Sequence, residues 1–330
     1  MPTEDALRTV GLGECGASNA NAYCWLYVRQ NPEGIPIVLP PDKRRITSTF
    51  LGSQIMPLPR RPIAFVLAAS NHGSMIVNRN DHHVDSSSRP YGVGFQIFDA
   101  SSFDESEVSL VLALLDCRRK HFGNGVVAID GGANIGVHTI EWARHMYGWG
   151  HVLGFEAQEA LYYALAGNVA LNNCMNARVR LAALGAQCGE MVVPQPDYFT
   201  PASFGSLELR PKPDNEFIGQ RIAYDAASCN IIPMISLDSL GLERLDLLKL
   251  DIEGMELEVL DGGRSILAKH CPIMIVEVLK SDRVAIEKFL VGLGYRVFPA
   301  GRLNVIAVHT ADPTLNQITV KDDQPIVATE

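Results

Sequence analysis

From Val126 onward, short apolar runs alternate with stretches of helical periodicity, and few folds accommodate that alternation. Val126–Asp130 (VVAID), Val152–Glu156, Val179–Leu184, Leu245–Asp251, Ile273–Val278 and Asn304–Val308 have strand length and apolar character. Between them run helical stripes. Ile140, Ala143 and Tyr147 share one face, and Leu161, Leu165 and Val169 share another within Ala160–Asn173. Ile286, Phe289, Leu290 and Leu293 recur at i, i+3, i+4 and i+7 before Gly294. Strands that alternate with helices imply an α/β fold, a doubly wound, mainly parallel sheet with helices on both faces.

Upstream, Val108, Val111, Leu112 and Leu115 mark a further helix. Arg118, Arg119 and Lys120 and then Gly123 suit its end, because cations favour the carboxyl terminus and glycine the turn beyond. Ile63–Ala69 and Ser74–Val77 flank Asn71-His72-Gly73, a strand–turn–strand pattern. Residues 1–60 are weakly periodic and read as a loosely built arm or cap. The expected division is an N-terminal extension over 1–103 and an α/β domain over 104–330. Within the latter, the proline-rich stretch Val193–Pro233 breaks the rhythm. An irregular segment of that length is often functional, so it and the N-terminal region are expected to form a substrate pocket.

Charge narrows the partners. With 28 Lys and Arg against 37 Asp and Glu, the net charge is −9, which repels phosphate backbones. Nucleic acid is therefore not an expected partner. Seven cysteines, an odd number without CxxC spacing, argue against a disulfide framework or a zinc site. Glu4, Asp5 and Glu14 and the lack of an apolar core near the start argue against a signal peptide. No apolar stretch approaches the ~18 residues of a membrane span. The expectation is a cytoplasmic protein without a membrane span; a homo-oligomer is left open.

The chemistry concentrates at strand ends. Asp130-Gly131-Gly132-Ala133-Asn134-Ile135-Gly136 follows the first apolar strand and opens a helix. Ligands of open α/β sheets bind beyond the carboxyl ends of strands, near the switch point. Glycines there admit close backbone approach, and the start of a helix offers free N–H groups. The G-x-G-x-x-G pattern of dinucleotide sites fails, since Ala133 or Asn134 occupies its second glycine position. Asp130 also sets a carboxylate where a pyrophosphate would lie. Glu156 ends the next strand, 26 residues after Asp130, near the place from which an acid takes ribose hydroxyls.

A third group is Leu248-Lys249-Leu250-Asp251-Ile252-Glu253-Gly254-Met255-Glu256. It sets Asp251 at a strand's carboxyl end and Glu253 in the following turn, and Glu277 ends the strand after that. Glu256 reads as a helix N-terminal acid favoured by the dipole. His138, in the first turn after the glycine loop, either touches the ligand or acts as a base, or else is an exposed capping residue. His82 and His83 with Asp81 and Asp85 hint at a metal. Adjacent histidines rarely share one ligand sphere, so no metal is expected.

In order, D-x-G-A-N-x-G, F-E, S-F-G-S-L (Ser203–Leu207), I-S-L-D-S-L (Ile235–Leu240) and L-K-L-D-I-E-G-M-E resemble the FkbM-type class I methyltransferases, over roughly residues 120 to 309. The resemblance implies S-adenosyl-L-methionine as methyl donor and O-methylation of a hydroxyl on a sugar, polysaccharide or other small-molecule acceptor. It implies a Rossmann-like, seven-stranded sheet with one antiparallel strand at the edge. It assigns cofactor binding to Asp130, Gly132, Asn134 and Gly136, with Ala133 and His138 alongside. Glu156 becomes the ribose acid, beside Ala157, where many members have proline. Asp251 and Glu253 match the acidic turn at the methyl group, and one of them is the expected general base. Two other readings are an NAD-dependent oxidoreductase, which the broken glycine pattern opposes, and a non-catalytic binding module, which would be expected to lose Asp251 and Glu253.

Overall fold

The computed structural model describes residues 8–13, 24–30, 36–38, 62–84, 88–321 and 324–327. The chain forms two compact units, 1–60 and 61–330. In the first, β1 (Arg8–Gly13), β2 (Cys24–Gln30) and β3 (Pro36–Val38) make an antiparallel sheet in that order, more regular than the arm expected there.

The second unit opens with the expected hairpin, β4 (Phe65–Ser70) and β5 (Gly73–Asn78). A short pair, β6 (His83–Val84) and β7 (Pro90–Tyr91), and two helices, α1 (Val93–Ala100) and α2 (Glu105–Phe122), follow. These elements belong to the larger unit, so its boundary falls at residue 61, whereas the sequence reading drew it near 103. The hairpin is fastened from within. Asn168, fully buried, donates to the carbonyls of Ile76 (3.2 Å) and Ile135 (2.8 Å), linking β5 to the glycine loop.

The alternating region comprises β8 (Val126–Gly131), α3 (Val137–His145), β9 (Gly150–Glu156), α4 (Glu159–Leu171) and β10 (Ala177–Leu181). Then come β11 (Ala183–Leu184), β12 (Gly189–Pro194), β13 (Cys229–Ile235), β14 (Leu247–Leu250), α5 (Glu256–Asp261) and α6 (Arg264–His270). The unit closes with β15 (Ile273–Glu277), α7 (Arg283–Gly292), β16 (Tyr295–Ala300), β17 (Asn304–His309), β18 (Ile318–Lys321) and β19 (Gln324–Val327).

Seven strands form the central sheet in the order β10-β9-β8-β14-β15-β17-β16. The first five are parallel. The antiparallel strand, expected at the edge, is the penultimate one: β17 runs against both β15 and β16. The cause is connectivity. After α7 the chain skips one place to lay down β16, and a tight turn through Gly301 (φ +67°) returns β17 into the gap.

Consecutive residues of the inner strands feed opposite faces, as the two-residue strand period requires. Leu247, Ile273 and Ile275 pack with α2, α3 and α4, while Leu248, Met274 and Val276 pack with α5, α6 and α7. Being covered on both sides, these strands are mostly apolar, with Asp130, Lys249 and Glu277 among the charged exceptions. Two expectations need correction. The run Val179–Leu184 is split at Ala182: β10 stays in the main sheet, and β11 joins β12 and β13 in a small second sheet. Tyr147 lies past the end of α3 and is exposed rather than on its apolar face. The long irregular stretch is thus a loop between the antiparallel strands β12 and β13. No helix among the described residues is long and apolar enough to cross a membrane, and Cys117, Cys174, Cys188, Cys229 and Cys271 are free thiols.

Candidate active site

The sheet's switch point lies between β8 and β14. A cavity of about 350 Å³ opens over it, lined by the glycine loop, the ends of β9, β14 and β15, the start of α2, and the loop around Ser203–Leu209. Gly132, Ala133, Asn134, His138, Glu156, Ala157, Asp251 and Glu253 all line it.

Backbone geometry explains the loop's composition. Gly132 has φ +80°, and a Cβ there would lie 1.8 Å from the Asp251 carbonyl oxygen. Gly136 caps α3 at φ +91°, where a Cβ would lie 2.5 Å from Leu165 Cδ1. Gly136 serves the fold and does not line the cavity. Asp130 does not line it either. It is buried beneath the loop, with Oδ2 accepting the Thr139 hydroxyl at 2.6 Å and Oδ1 left without a partner.

The N–H groups of the turn itself, from Gly132 to Gly136, are not free. Gly132 and Ala133 donate to the Phe155 carbonyl (3.0 and 2.9 Å), Asn134 to Glu156 Oε2 (2.8 Å), Ile135 to Asn134 Oδ1 (2.7 Å), and Gly136 to the Ala133 carbonyl (2.8 Å). The turn provides close approach rather than a nest of donors.

Glu156 is buried at the end of β9, and its second oxygen accepts Gln158 N–H at 2.7 Å. Burial pushes its carboxyl up to about 7 despite these bonds. His138 is buried against Phe103 and Trp142, not an exposed cap, and its Nε2 lies 3.2 Å from Glu107 Oε1. Burial pushes the Glu107 carboxyl up, but His138, Lys249 and Asn304 outweigh it and hold the group down at about 2.

The acidic turn is a network of charges. Lys249, buried in β14, donates to Asp251 Oδ2 at 2.8 Å. Burial opposes its charge, but Asp251, Glu107 and Asp130 hold its pKa above the lysine range. Glu253 sits at φ +59°, a strained backbone for a residue with a side chain. Its Oε2 is 2.7 Å from Lys280 Nζ, which also reaches Glu216 Oε2 at 2.7 Å and the Ser206 carbonyl at 2.7 Å. Glu277 ends β15, and its buried Oε2 has no partner. Burial and the neighbouring acids push Glu253 and Glu277 well above the usual carboxylate range. Oxygens of Asp251, Glu253 and Glu277 lie within 4.8 Å of one another. Lys249 and Lys280 already balance two of them, so the arrangement reads as carboxylates sharing protons with two ammonium groups.

Asp81 is engaged with the backbone. Its oxygens accept Gly94 N–H (2.9 Å) and Phe204 N–H (3.1 Å), clamping α1 to the Ser203–Ser206 turn beside the cavity. Burial raises its carboxyl to about 6. His83 packs edge-on against Tyr91 and Phe217. Asp85 lies outside the described residues.

Sequence reasoning assigned no role to Lys249, Lys280, Glu107 or Glu216. Lys249 carried a signal, being a charge in the middle of an otherwise apolar strand.

Residues 130–297 match the family described as the methyltransferase FkbM domain. The chain belongs to the FkbM methyltransferase family. Methyltransferase sdnD of Sordaria araneosa is 29% identical over 157 residues, or 41% of this chain and 59% of that protein, so the match spans less than two-thirds of its length. Among solved structures, a methyltransferase FkbM from Methylobacillus flagellatus KT is similar with a TM-score of 0.39 and 16% identity, over 56% of this chain and 43% of that one. The tRNA (uracil-54, C5)-methyltransferase of Pyrococcus abyssi, in complex with S-adenosyl-L-homocysteine, is similar at TM-score 0.34 and 13% identity, over 74% and 44%. The FkbM segment contains the glycine loop, Glu156, Asp251, Glu253 and Glu277. Glu107, which lines the same cavity from α2, precedes it.

Proposed function

We propose that this chain transfers a methyl group from S-adenosylmethionine to a hydroxyl of a small-molecule or carbohydrate acceptor. The observation that carries the reading is the acid-rich cavity over the switch point of a chain of the FkbM family.

The residues present suit such a donor. Glu156 keeps a lone pair on each oxygen after its two backbone bonds, enough to accept ribose hydroxyls. Phe155, Ala157, Ala183 and Leu184 give an apolar wall for a nucleobase. The carboxylates around Asp251 suit ammonium and sulfonium charges. When bound, the donor supplies a methyl group on a sulfonium sulfur; the acceptor oxygen bonds that carbon, the sulfur keeps the electron pair, and the hydroxyl proton passes to a carboxylate. Asp251 and Glu253 are placed to take that proton. Tyr91, Gln96, Ser206 and Leu209 line the same cavity and leave room for an acceptor.

Calorimetric titration with S-adenosylmethionine, S-adenosylhomocysteine and NAD tests the reading. Micromolar binding of the first two is expected. Glu156→Ala should weaken it ten- to a hundredfold, since each charge-assisted bond is worth about 1.5–3 kcal/mol. Asp130→Ala should weaken it through the loop it supports. Binding of NAD alone would overturn the proposal.

A further inference from the structure

Glu277 is an acid of this cavity that nothing above employs. The charges that bear on it are Lys249 on β14, Asp251 and Glu253 in the turn after it and Glu256 at the start of α5; Lys280 after β15 bears on Glu253, and β17 sets the uncharged Asn304 opposite Glu277. Lys249 is committed to Asp251, and Lys280 to Glu253 and Glu216. Glu107 and Asp130 bear on the cluster through Lys249, and Asp104 through Asp251. Among the described residues Glu277 therefore has no cation of its own, and its buried Oε2 has no hydrogen-bond partner.

Resting on the methyl-donor reading, we infer that Glu277 and Glu253 form a proton-sharing pair that releases a proton when a sulfonium cation binds beside it and regains one when a neutral thioether remains. The geometry supports this directly. Three carboxylates with oxygens within 4.8 Å of one another share two lysines, one of which also serves Glu216, so full ionisation leaves at least one negative charge uncompensated in a buried place. In the free protein, burial and mutual repulsion keep a proton on the pair at neutral pH. An added positive charge offsets the uncompensated one and frees that proton to solvent. The pair is then a carboxylate, able to take the acceptor's hydroxyl proton. The positive charge lost from sulfur on methyl transfer reappears as the proton on the pair, so the charge of the site is the same before and after.

The test needs no acceptor. Calorimetric titrations of the full chain near pH 8, in buffers of different ionisation enthalpy, count protons released per ligand. S-adenosylmethionine should release roughly half to one proton more than S-adenosylhomocysteine, and its affinity should rise with pH toward the limit of about tenfold per pH unit. Glu277→Gln and Glu253→Gln, titrated to saturation, should weaken S-adenosylmethionine more than S-adenosylhomocysteine and each abolish the difference in protons released, and Glu277→Asp should restore part of it. Equal counts for the two ligands on the unaltered chain overturn the inference and leave the donor reading standing. So does a difference that survives both Gln variants, because it then arises from the ligands' own amino groups. Failure of both ligands to bind overturns the donor reading, and the inference with it.

Discussion

Replacing Gly132 with alanine tests the closest approach in the site. The added carbon would lie 1.8 Å from the Asp251 carbonyl oxygen and 2.8 Å from its carbon, where real Cβ atoms keep at least 3.0 Å. Either the turn or Asp251 must retreat by more than 1 Å. Asp251 N–H to the Gly131 carbonyl (3.0 Å) and the two donors to the Phe155 carbonyl hold that spacing, so a retreat breaks at least one of them. One lost bond costs about 1 kcal/mol. The left-handed backbone costs alanine about 1 kcal/mol more than glycine. The variant should lose about 2–3 kcal/mol, roughly 5–10 °C in Tm for a domain of this size. Gly148→Ala is the matched control. Its φ is +78°, but nothing lies within 4 Å of the added carbon, so only the backbone cost remains, about 1 kcal/mol or roughly 2–4 °C. Thermal unfolding of both variants by circular dichroism decides the matter. Equal shifts would refute the claim that the turn is held tight against β14. Gly132→Ala should also lose cofactor binding by calorimetry, while Gly148→Ala keeps it.

Arg118 is buried between Asp246 Oδ1 (3.1 Å) and Asp312 Oδ2 (2.5 Å). Asp246 keeps Arg244 and Val127 N–H when Arg118 is removed, but Asp312 loses its cation. Arg118→Ala should cost about 3–5 kcal/mol in urea denaturation, and a loss under about 1 kcal/mol would contradict a buried ion pair. Stability should fall as pH rises. Asp81 and Glu156 are raised to about 6 and about 7, so the stability each contributes is full below the ordinary carboxyl pKa and is lost as pH climbs through those values. Across about pH 5 to 8 these two groups together should account for a loss of roughly 2–4 kcal/mol, Glu253 and Glu277 adding to it in the same direction, and Glu156→Gln should flatten the part that falls near pH 7. Glu107, lowered to about 2, acts in the opposite sense only in more acidic solution. Asp251→Asn should cut turnover at least tenfold once an acceptor is in hand; a change within a few-fold would remove Asp251 as the base.

What was legible in the sequence follows from burial. Strands covered on both faces are apolar runs, and β8, β9, β14, β15 and β17 announced themselves that way. β16 did not, because an edge strand carrying Arg296 and Pro299 has no such run. β12 and β13 were hidden at the two ends of the proline-rich stretch because they pair with each other outside the main sheet. In the site, the glycine loop, Glu156, Asp251 and Glu253 were legible because each follows a strand end. Glu107 and Glu216 were not. They reach the cavity from α2 and from the long loop, and only the tertiary fold brings them to the strand ends. Asp130 was read at the right position and given the wrong exposure. Its side chain turns toward Thr139 on α3, under the loop rather than into the cavity.

That change moves the case against a dinucleotide onto firmer ground. A pyrophosphate on a strand-to-helix turn is held by unpaired N–H groups and is not opposed by nearby negative charge. Here every N–H from Gly132 to Gly136 is already spent within the protein. Among the described lining residues, Lys249, Lys280 and His138 each lie against a carboxylate, so no uncommitted cation is on offer. Glu107, Glu156, Glu216, Asp251, Glu253 and Glu277 share the wall. A phosphate entering would forfeit its hydration and meet charges of its own sign in a confined space. A cationic ligand gains from that same field. The selection against phosphate therefore comes from the exhausted donors of the turn and from acids scattered over five elements, and Asp130, the residue that first suggested it, contributes mainly by holding α3 through Thr139.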